Sequence, residues 1–195
     1  MRKKHDKSEI IKLGKALFRE HGYTNTGVGQ ILEEADLSKG SFYNFFESKE
    51  DYARQVLDSY VSDQYAYVSN MLQAQDKSPL ERIDSFYQSM IEFNREEQCE
   101  KGCLLANMTN EMGGLSEKIS ADSDRHFKSI TGLLAKCINE GQVKNEITGR
   151  FEAHALADFI HNGFNGALLR AKAGRSTEPM EQFITMVIQM IKIRH

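Results

Sequence analysis

The chain has 195 residues, of which 40% are hydrophobic and 27% are charged, and its formal net charge is −3 at pH 7. A chain of this length can bury the core of one large domain or two small ones, and the slight negative charge argues against a protein that coats nucleic acid non-specifically. No apolar run approaches the ~20 residues that a membrane-spanning helix needs, and the polar residues 1–20 argue against a secretory signal peptide.

Apolar residues recur at helical spacing through almost every segment, and no clear alternating strand pattern occurs, which predicts an all-α fold. The only two prolines, Pro79 and Pro179, each lie where a helix would begin. About nine helices are predicted from this periodicity, over residues 7–21, 27–35, 39–46, 48–75, 79–97, 103–112, 116–140, 149–173 and 179–193.

The chain begins with a basic cluster formed by Arg2, Lys3, Lys4 and Lys7. Residues 1–49 contain nine Lys or Arg against seven Asp or Glu, whereas the remainder of the chain carries a net charge near −5. Two interpretations of the basic arm stay open: a solvated tail, or a contact with the phosphates or the minor groove of DNA.

Residues 26–46 predict two short helices joined by a tight turn. Apolar residues recur at helical spacing from Val28 to Ala35, Asp36 interrupts the pattern, and Ser38 is a good N-cap for a new helix. Two helices with a turn of three or four residues form a helix-turn-helix unit, whose second helix can enter the major groove of DNA.

The second of these helices has two chemically different sides. At about 100° per residue, its phenylalanines share one side, which we expect to be buried: Phe42, Phe45 and Phe46. The opposite side offers amide, hydroxyl and ammonium groups, with a glycine that permits close backbone approach, for recognition of DNA: Lys39, Gly40, Ser41, Tyr43 and Asn44. Phosphate contacts are expected from Tyr43 and also from Thr26, Ser38 and Lys49. The alternative is a helical hairpin that merely packs.

Three motifs in this region resemble a known family. They are Gly-Tyr-x-x-Thr from Gly22, Ile-x-x-x-Ala from Ile31, and Leu-Ser-Lys-Gly-Ser-Phe-Tyr-x-x-Phe-x-Ser-Lys-Glu from Leu37. Their order and spacing are similar to the N-terminal domain of the TetR family of transcriptional repressors, over about residues 7–57. The resemblance implies a DNA-binding regulator.

The resemblance also implies that the chain is divided into two functional domains. A helix-turn-helix DNA-binding domain is expected in residues 1–50, and a helical domain for effector binding and dimerisation in residues 51–195. Apolar residues on the predicted helices of the second domain are candidates for the lining of an effector pocket: Phe86, Met90, Phe93, Met108 and Phe127. The same residues could instead form a solid core.

The last two predicted helices carry enough apolar surface to pack on a further partner. Two such helix pairs related by a two-fold axis form a four-helix bundle, which is the dimer seen across the TetR family. The candidate interface residues are Phe159, Gly163, Gly166, Phe183 and Val187. The alternative is that both helices belong only to the core of one chain.

Cys103 is the candidate sensor residue. It follows Lys101-Gly102 at the start of a predicted helix, where unpaired N–H groups and the nearby Lys101 favour the reactive thiolate, and Cys99 is a candidate resolving thiol. The segment Lys101-Gly102-Cys103-Leu104 resembles the NemR branch of the family, whose members derepress detoxification genes when a cysteine at this position is modified by electrophiles. The alternatives are a packed, unreactive cysteine and a reversible, non-covalent inducer.

No catalytic constellation and no glycine-rich phosphate loop occurs in the sequence, so neither an enzyme activity nor a cofactor is predicted. His154 and His161 share a helical face, but no further metal ligands accompany them, and we expect them to line an interface or a pocket. An odd number of cysteines without disulfide-type spacing is typical of the reducing cytoplasm. The sequence thus predicts a cytoplasmic, homodimeric repressor of a palindromic operator; a helical interaction or catalytic module that never contacts DNA is the rival.

Overall fold

The computed structural model describes residues 6–193, and within them the regular structure is entirely helical apart from one isolated bridge between Ile147 and Lys192. This confirms the predicted all-α fold. No helix in these residues combines the length and the apolar character that a membrane span requires. The nine helices of this range are α1 (Lys7–Asn25), α2 (Val28–Glu34), α3 (Lys39–Phe45), α4 (Lys49–Leu72), α5 (Pro79–Glu96), α6 (Leu104–Met112), α7 (Glu117–Val143), α8 (Ala153–Gly174) and α9 (Glu178–Ile191).

Several helix ends differ from the sequence-based prediction by a few residues, and two of these differences have clear local causes. Helix α1 does not end at residue 21: it breaks at Gly22, where φ is 78° and ψ is 168°, and then continues to Asn25. Helix α8 begins only at Ala153, because Glu152 is extended and its carboxylate accepts a 2.9 Å hydrogen bond from the N–H of Ala155. An N-cap of this kind satisfies a donor that the first turn leaves unpaired.

The helices form two compact units, and each unit is made of two separate segments of the chain. The first unit contains the described residues up to Asp63 together with Cys103–Asp124, and the second contains Gln64–Gly102 and the described residues from Arg125 onward. Helix α6 and the beginning of α7 therefore belong to the same unit as α1, α2 and α3. The predicted division at residue 50 separates the DNA-binding residues from the residues for effector binding and dimerisation. It is a functional division, and it stays a prediction.

An aromatic cluster forms the core of the first unit. It consists of Phe18, Phe42, Phe46 and Tyr52, which are all buried. The Tyr52 ring lies 5.7 Å from Phe18, 5.5 Å from Phe42 and 4.8 Å from Phe46, measured between centroids. The Tyr52 hydroxyl donates a 2.8 Å hydrogen bond to the Ile10 carbonyl, so the one polar atom of this buried ring is satisfied. The cluster thereby joins α1, α3 and α4.

Polar contacts within the first unit connect its N-terminal helices to α6 and α7. Each joins a residue near the end of α1 or the beginning of α4 to a partner that follows much later in the chain. They are Thr24 N–H to the Glu111 carboxylate (2.8 Å), Ser116 Oγ to Glu50 (3.1 Å), and Arg54 Nε to Asp122 (2.6 Å).

The second unit encloses a buried arginine and a closely packed helix pair. Arg82 donates to both carboxylate oxygens of Glu140, at 2.7 and 3.2 Å, and this contact joins α5 to α7. Helix α9 packs against α8 at Gly163, where an added Cβ would collide with the Phe183 ring. Gly163 therefore permits an approach that a larger residue would prevent.

We predict that Gly22→Ala destabilises the protein by about 1–3 kcal/mol, because φ and ψ at this position lie in a region that is essentially restricted to glycine. The new Cβ would also lie 2.6 Å from Glu111 Oε1. Urea denaturation gives the free energy of unfolding. The matched control is Gly29→Ala in α2, where an added Cβ meets nothing within 4 Å and alanine favours the helix by ~0.5–1 kcal/mol. Equal losses in the two variants would contradict the role assigned to the Gly22 conformation.

Candidate nucleic-acid interface

The turn between α2 and α3 determines where the second helix begins. Asp36 adopts a left-handed conformation with φ of 51°, which Asp tolerates better than most residues because its short side chain can bond locally. Leu37 is buried, and Ser38 then caps α3 by accepting a 3.1 Å hydrogen bond from the N–H of Ser41. The predicted helix-turn-helix is thus present, with Asp36 serving the purpose that glycine often serves in turns.

Helix α3 has a buried side and an exposed side. Phe42 is fully buried and Phe46 nearly so, whereas Tyr43 is 44% exposed and Asn44 is also exposed. Phe45, which we expected in the core with the other two phenylalanines, is only half-buried because it lies toward the edge of that side.

Gly40 lies on the exposed side of α3, together with Lys39. An added Cβ at Gly40 would meet nothing within 4 Å. Packing inside the chain therefore does not require glycine at this position. Its benefit would come from an external group that approaches the helix backbone closely.

Two of the residues expected to contact phosphate have structural partners instead. Thr26 is buried, and its hydroxyl donates a 2.6 Å hydrogen bond to the Gly22 carbonyl. The Lys49 ammonium donates to the Tyr23 carbonyl at 2.6 Å and lies 4.1 Å from the centroid of the Tyr23 ring; burial lowers the pKa of Lys49. Both side chains hold the end of α1. The burial of Thr26 corrects the expectation that it reaches DNA, whereas Lys49 is only half-buried and its phosphate contact stays a prediction.

The remaining members of the predicted set differ in their surroundings. Ser38 is exposed, and its hydroxyl lies 2.8 Å from that of Ser41, within hydrogen-bond distance. In the basic arm, Arg2, Lys3 and Lys4 lie outside the described residues. The ammonium of Lys7 lies 5.3 Å from the centroid of the Phe46 ring, next to the aromatic cluster.

Cys103 lies at the N-cap of α6, is half-buried, and neighbours the hydroxyl of Tyr60. Burial raises the pKa of Tyr60, as does the neighbouring Cys103, so the phenol stays protonated. The sequence analysis did not identify Tyr60, because Tyr60 is far from Cys103 in the chain. Helical periodicity predicts which side of a helix is buried, but it does not predict which distant residue that side contacts.

The other thiol and charge candidates lie in the second unit. Cys99 is buried and has a positive φ of 56°. Lys101 forms an ion pair of 3.8 Å with Glu97. Cys137 is also buried, and this burial raises the pKa of its thiol to about 11, in agreement with the structural role expected for it.

The predicted pocket residues do not form one common lining. Met108 belongs to the core of the first unit, whereas the other four lie in the second. Among those four, Phe86 is buried and Phe93 is 48% exposed, and Met90 and Phe127 are half-buried. Phe93 is too exposed to line an enclosed cavity, whereas the pocket role of Phe86, Met90 and Phe127 stays a prediction.

The two histidines of α8 differ in exposure although they share a helical face. His154 is exposed, whereas His161 is buried beside Phe127, with 6.5 Å between the ring centroids. Burial lowers the pKa of His161 to about 4. Across residues 6–193, no three His, Cys, Asp or Glu side chains come together in an arrangement that could hold a metal ion.

The α8–α9 pair presents an exposed apolar face, which we define by Phe159, Leu169, Met186 and Met190; their exposed fractions run from 57% to 64%. Gly166, from the predicted set, is exposed on the same side of α8. The other predicted interface residues lie further inside. Gly163 and Phe183 are half-buried against each other, and Val187 is buried in the core of its own chain, which corrects its assignment to the interface.

Two family models match this chain and together cover most of it. The model described as "Bacterial regulatory proteins, tetR family" matches residues 10–56, and the model described as "Tetracyclin repressor-like, C-terminal domain" matches residues 79–187. The repressor DhaR of Mycobacterium sp. (strain GP1) is 34% identical over 95% of this chain and 91% of its own length. The repressor NemR of Escherichia coli (strain K12) is 28% identical over 96% of this chain and 94% of its own.

Solved structures agree with these matches. The fold is similar to that of a regulatory protein TetR from Rhodobacter sphaeroides, with a TM-score of 0.86 and 27% identity over 94% of this chain and 97% of the other. It is equally similar to the reduced form of E. coli NemR, with a TM-score of 0.87 and 26% identity over 96% and 97%. The resemblance read from the motifs is therefore confirmed. The chain belongs to the TetR family and is a DNA-binding transcriptional regulator rather than an enzyme.

Proposed function

We propose that this protein is a cytoplasmic, homodimeric repressor that binds a palindromic operator through α3 and releases it when an inducer binds or an electrophile modifies Cys103. The DNA-binding part of this proposal rests on the orientation of α3, whose phenylalanines are buried while its polar side chains face solvent. A single short helix supplies limited sequence specificity. Two copies in successive major grooves read two half-sites, and operator symmetry then follows from protein symmetry.

The exposed side of α3 fits direct recognition of base edges. Asn44 can pair bidentately with adenine, Lys39 can donate to guanine, and Ser41 can pair with either base. Gly40 would let the helix backbone approach the floor of the groove, and Tyr43 is placed to reach a phosphate. Thr26 and Lys49 support this surface from behind through their contacts at the end of α1.

We predict that Asn44→Ala combined with Tyr43→Ala abolishes specific operator binding, because each base contact of this kind is worth roughly 1–3 kcal/mol. Genomic footprinting with purified protein identifies the operator, and fluorescence anisotropy at moderate salt then compares the variants. The matched control is Asn70→Ala, which removes the same exposed amide from α4 outside the helix-turn-helix. A protein that ignores every duplex, or a double variant that binds like the wild type, would favour a helical module without DNA binding.

The exposed apolar face of α8 and α9 supports the proposed dimer. Large apolar side chains grouped on one surface are costly to leave in water and commonly mark interaction sites. An antiparallel helix pair that meets its own copy about a two-fold axis forms a four-helix bundle. TetR-family repressors typically dimerise, and this face is the one we assign to that contact.

We predict that Phe159→Asp combined with Met186→Asp converts the dimer into a monomer, because each substitution places a charge against an apolar surface on both sides of the interface. Sedimentation velocity measures the change. The control is Val143→Asp, because Val143 is an exposed apolar residue that lies outside this face. The monomeric variant should also bind the operator more weakly than the dimer does. A double variant that still sediments as a dimer would exclude the assigned face.

The position of Cys103 supports a response to electrophiles. Cys103 is half-buried at the beginning of α6, close to the Tyr60 hydroxyl, whereas Cys99 and Cys137 are buried, so Cys103 is the thiol that a small electrophile reaches most easily. An adduct would displace Tyr60 and shift the beginning of α6. The other end of the same helix carries Glu111, which accepts the hydrogen bond from Thr24 at the end of α1. Favouring a non-binding form by ~2.7 kcal/mol would weaken operator binding about a hundredfold.

We predict that a quinone or an aldehyde modifies Cys103 first and releases the operator, and that Cys103→Ser removes this release. Mass spectrometry of the treated protein identifies the modified residue, and anisotropy follows the release. The control is Cys137→Ser, because Cys137 is buried and its pKa is raised to about 11, so it should react slowly. Release that persists in Cys103→Ser would favour a reversible, non-covalent inducer instead.

A further inference from the structure

Three buried side-chain polar atoms in the second unit have no hydrogen-bond partner within the part of the chain that the structure describes. One is Oε2 of Glu146, which follows α7; the other two are the hydroxyl oxygen of Tyr87, on α5, and Nδ1 of His161, on α8. Tyr87 is fully buried and His161 is 7% exposed. Buried polar groups in native proteins are nearly always hydrogen-bonded, so a pair of unsatisfied groups needs an explanation.

Both atoms belong to one aromatic environment. The ring of Phe164 lies 4.7 Å from that of Tyr87, and Phe164 follows His161 by one turn on the buried side of α8. Phe86 lies 4.8 Å from the Tyr87 ring, and Phe127 meets His161 edge-on at 6.5 Å. The two residues that carry these atoms therefore contact the same group of aromatic side chains, which offer no conventional hydrogen bond.

Neither group is charged at neutral pH. Burial lowers the pKa of His161 to about 4, although the nearby Asp158 opposes this shift, so the imidazole is neutral. Burial likewise raises the pKa of Tyr87, so its phenol stays protonated. A charged ligand would find no opposite charge on either of these two groups, and its desolvation would remain uncompensated.

We propose that Tyr87 and His161 are the polar anchors of an effector site in the second unit, which takes a small, uncharged aromatic molecule with a hydroxyl group. One hydroxyl can accept from the Tyr87 O–H, and it can complement Nδ1 in either tautomer because a hydroxyl both donates and accepts. The ligand ring would pack among Phe86, Phe127 and Phe164. This inference deepens the inducer response of the proposed function and rests on it.

Neighbouring side chains can make room for such a ligand. Met90 lies one turn after Tyr87 on α5, and both Met90 and Phe127 are half-buried. A methionine has several rotatable bonds and adapts its shape readily. Displacement of these two side chains would give a ligand room beside the anchors.

The test compares the thermal unfolding of the full-length protein with phenol, toluene and benzoate as probes. Phenol should raise the unfolding midpoint in a saturable manner, whereas toluene lacks the hydroxyl and benzoate carries a charge, so both should have little effect. Tyr87→Phe and His161→Leu should each lose the shift that phenol produces. A phenol effect no larger than that of toluene, or one that survives in Tyr87→Phe, would overturn the proposal.

A matched pair of tyrosines separates an unsatisfied hydroxyl from a satisfied one. Without any probe, Tyr87→Phe should unfold at the same or a higher temperature, because it removes a buried group without a partner. Tyr52→Phe should unfold at a lower temperature, because the Tyr52 hydroxyl donates to the Ile10 carbonyl, and it should keep the phenol shift. Equal destabilisation by the two substitutions would mean that a trapped water already satisfies Tyr87, and the proposal would then fail.

Operator binding by the wild-type protein, measured on the same preparations, distinguishes this inference from the proposed function. A phenol shift that depends on Tyr87, in a protein that binds no operator, would overturn the repressor proposal while supporting the site. Normal operator binding without any phenol shift would overturn the site and leave the repressor proposal intact.

Discussion

The burial of Phe42 and Phe46 against Tyr52 is the constraint on which the DNA-binding surface depends. Helix α3 has only seven residues and would not be stable in water by itself. Each buried phenylalanine contributes about 1.5–3 kcal/mol relative to an exposed one, so the aromatic cluster fixes the rotation of α3 as well as its existence. A turn of the helix by one residue, about 100°, would expose an aromatic ring and move Asn44 away from the surface.

The first unit contains both Cys103 and the helix whose rotation the aromatic cluster fixes. Helix α6 begins at the sulfur that contacts Tyr60 and ends near Glu111, whose carboxylate accepts from Thr24. Thr24 is at the end of α1, which also carries Phe18 of the aromatic cluster. The hydrogen bond between Thr24 and Glu111 is 2.8 Å long, and the Thr24 N–H would lose this partner if α6 moved. The proposed sensor and the proposed DNA surface are therefore neighbours in structure, although they are distant in sequence.

Local signals in the sequence predict the helices and the caps, because both depend on residues that are close in the chain. Ser38 caps α3 and Pro79 opens α5 where expected, and the spacing of Phe42 and Phe46 identifies the buried side of α3. Contacts between residues that are distant in the chain could not be predicted in this way. Periodicity could not show that Lys49 reaches the Tyr23 carbonyl or that Val187 packs inside its own chain, because an apolar stripe or a long polar side chain has the same appearance whichever neighbour it finds.

The first unit contains Cys103–Asp124 as well as the N-terminal helices. This arrangement has a consequence for engineering and for the evolution of the family. A graft that transfers only the N-terminal segment to a relative would leave Glu50 and Arg54 facing foreign residues where Ser116 and Asp122 now stand. New operator specificity is therefore easier to acquire by replacing side chains on the surface of α3 than by exchanging whole N-terminal segments between homologues. The N-terminal helices of this regulator therefore depend on contacts with Ser116 and Asp122, and they cannot be exchanged without them.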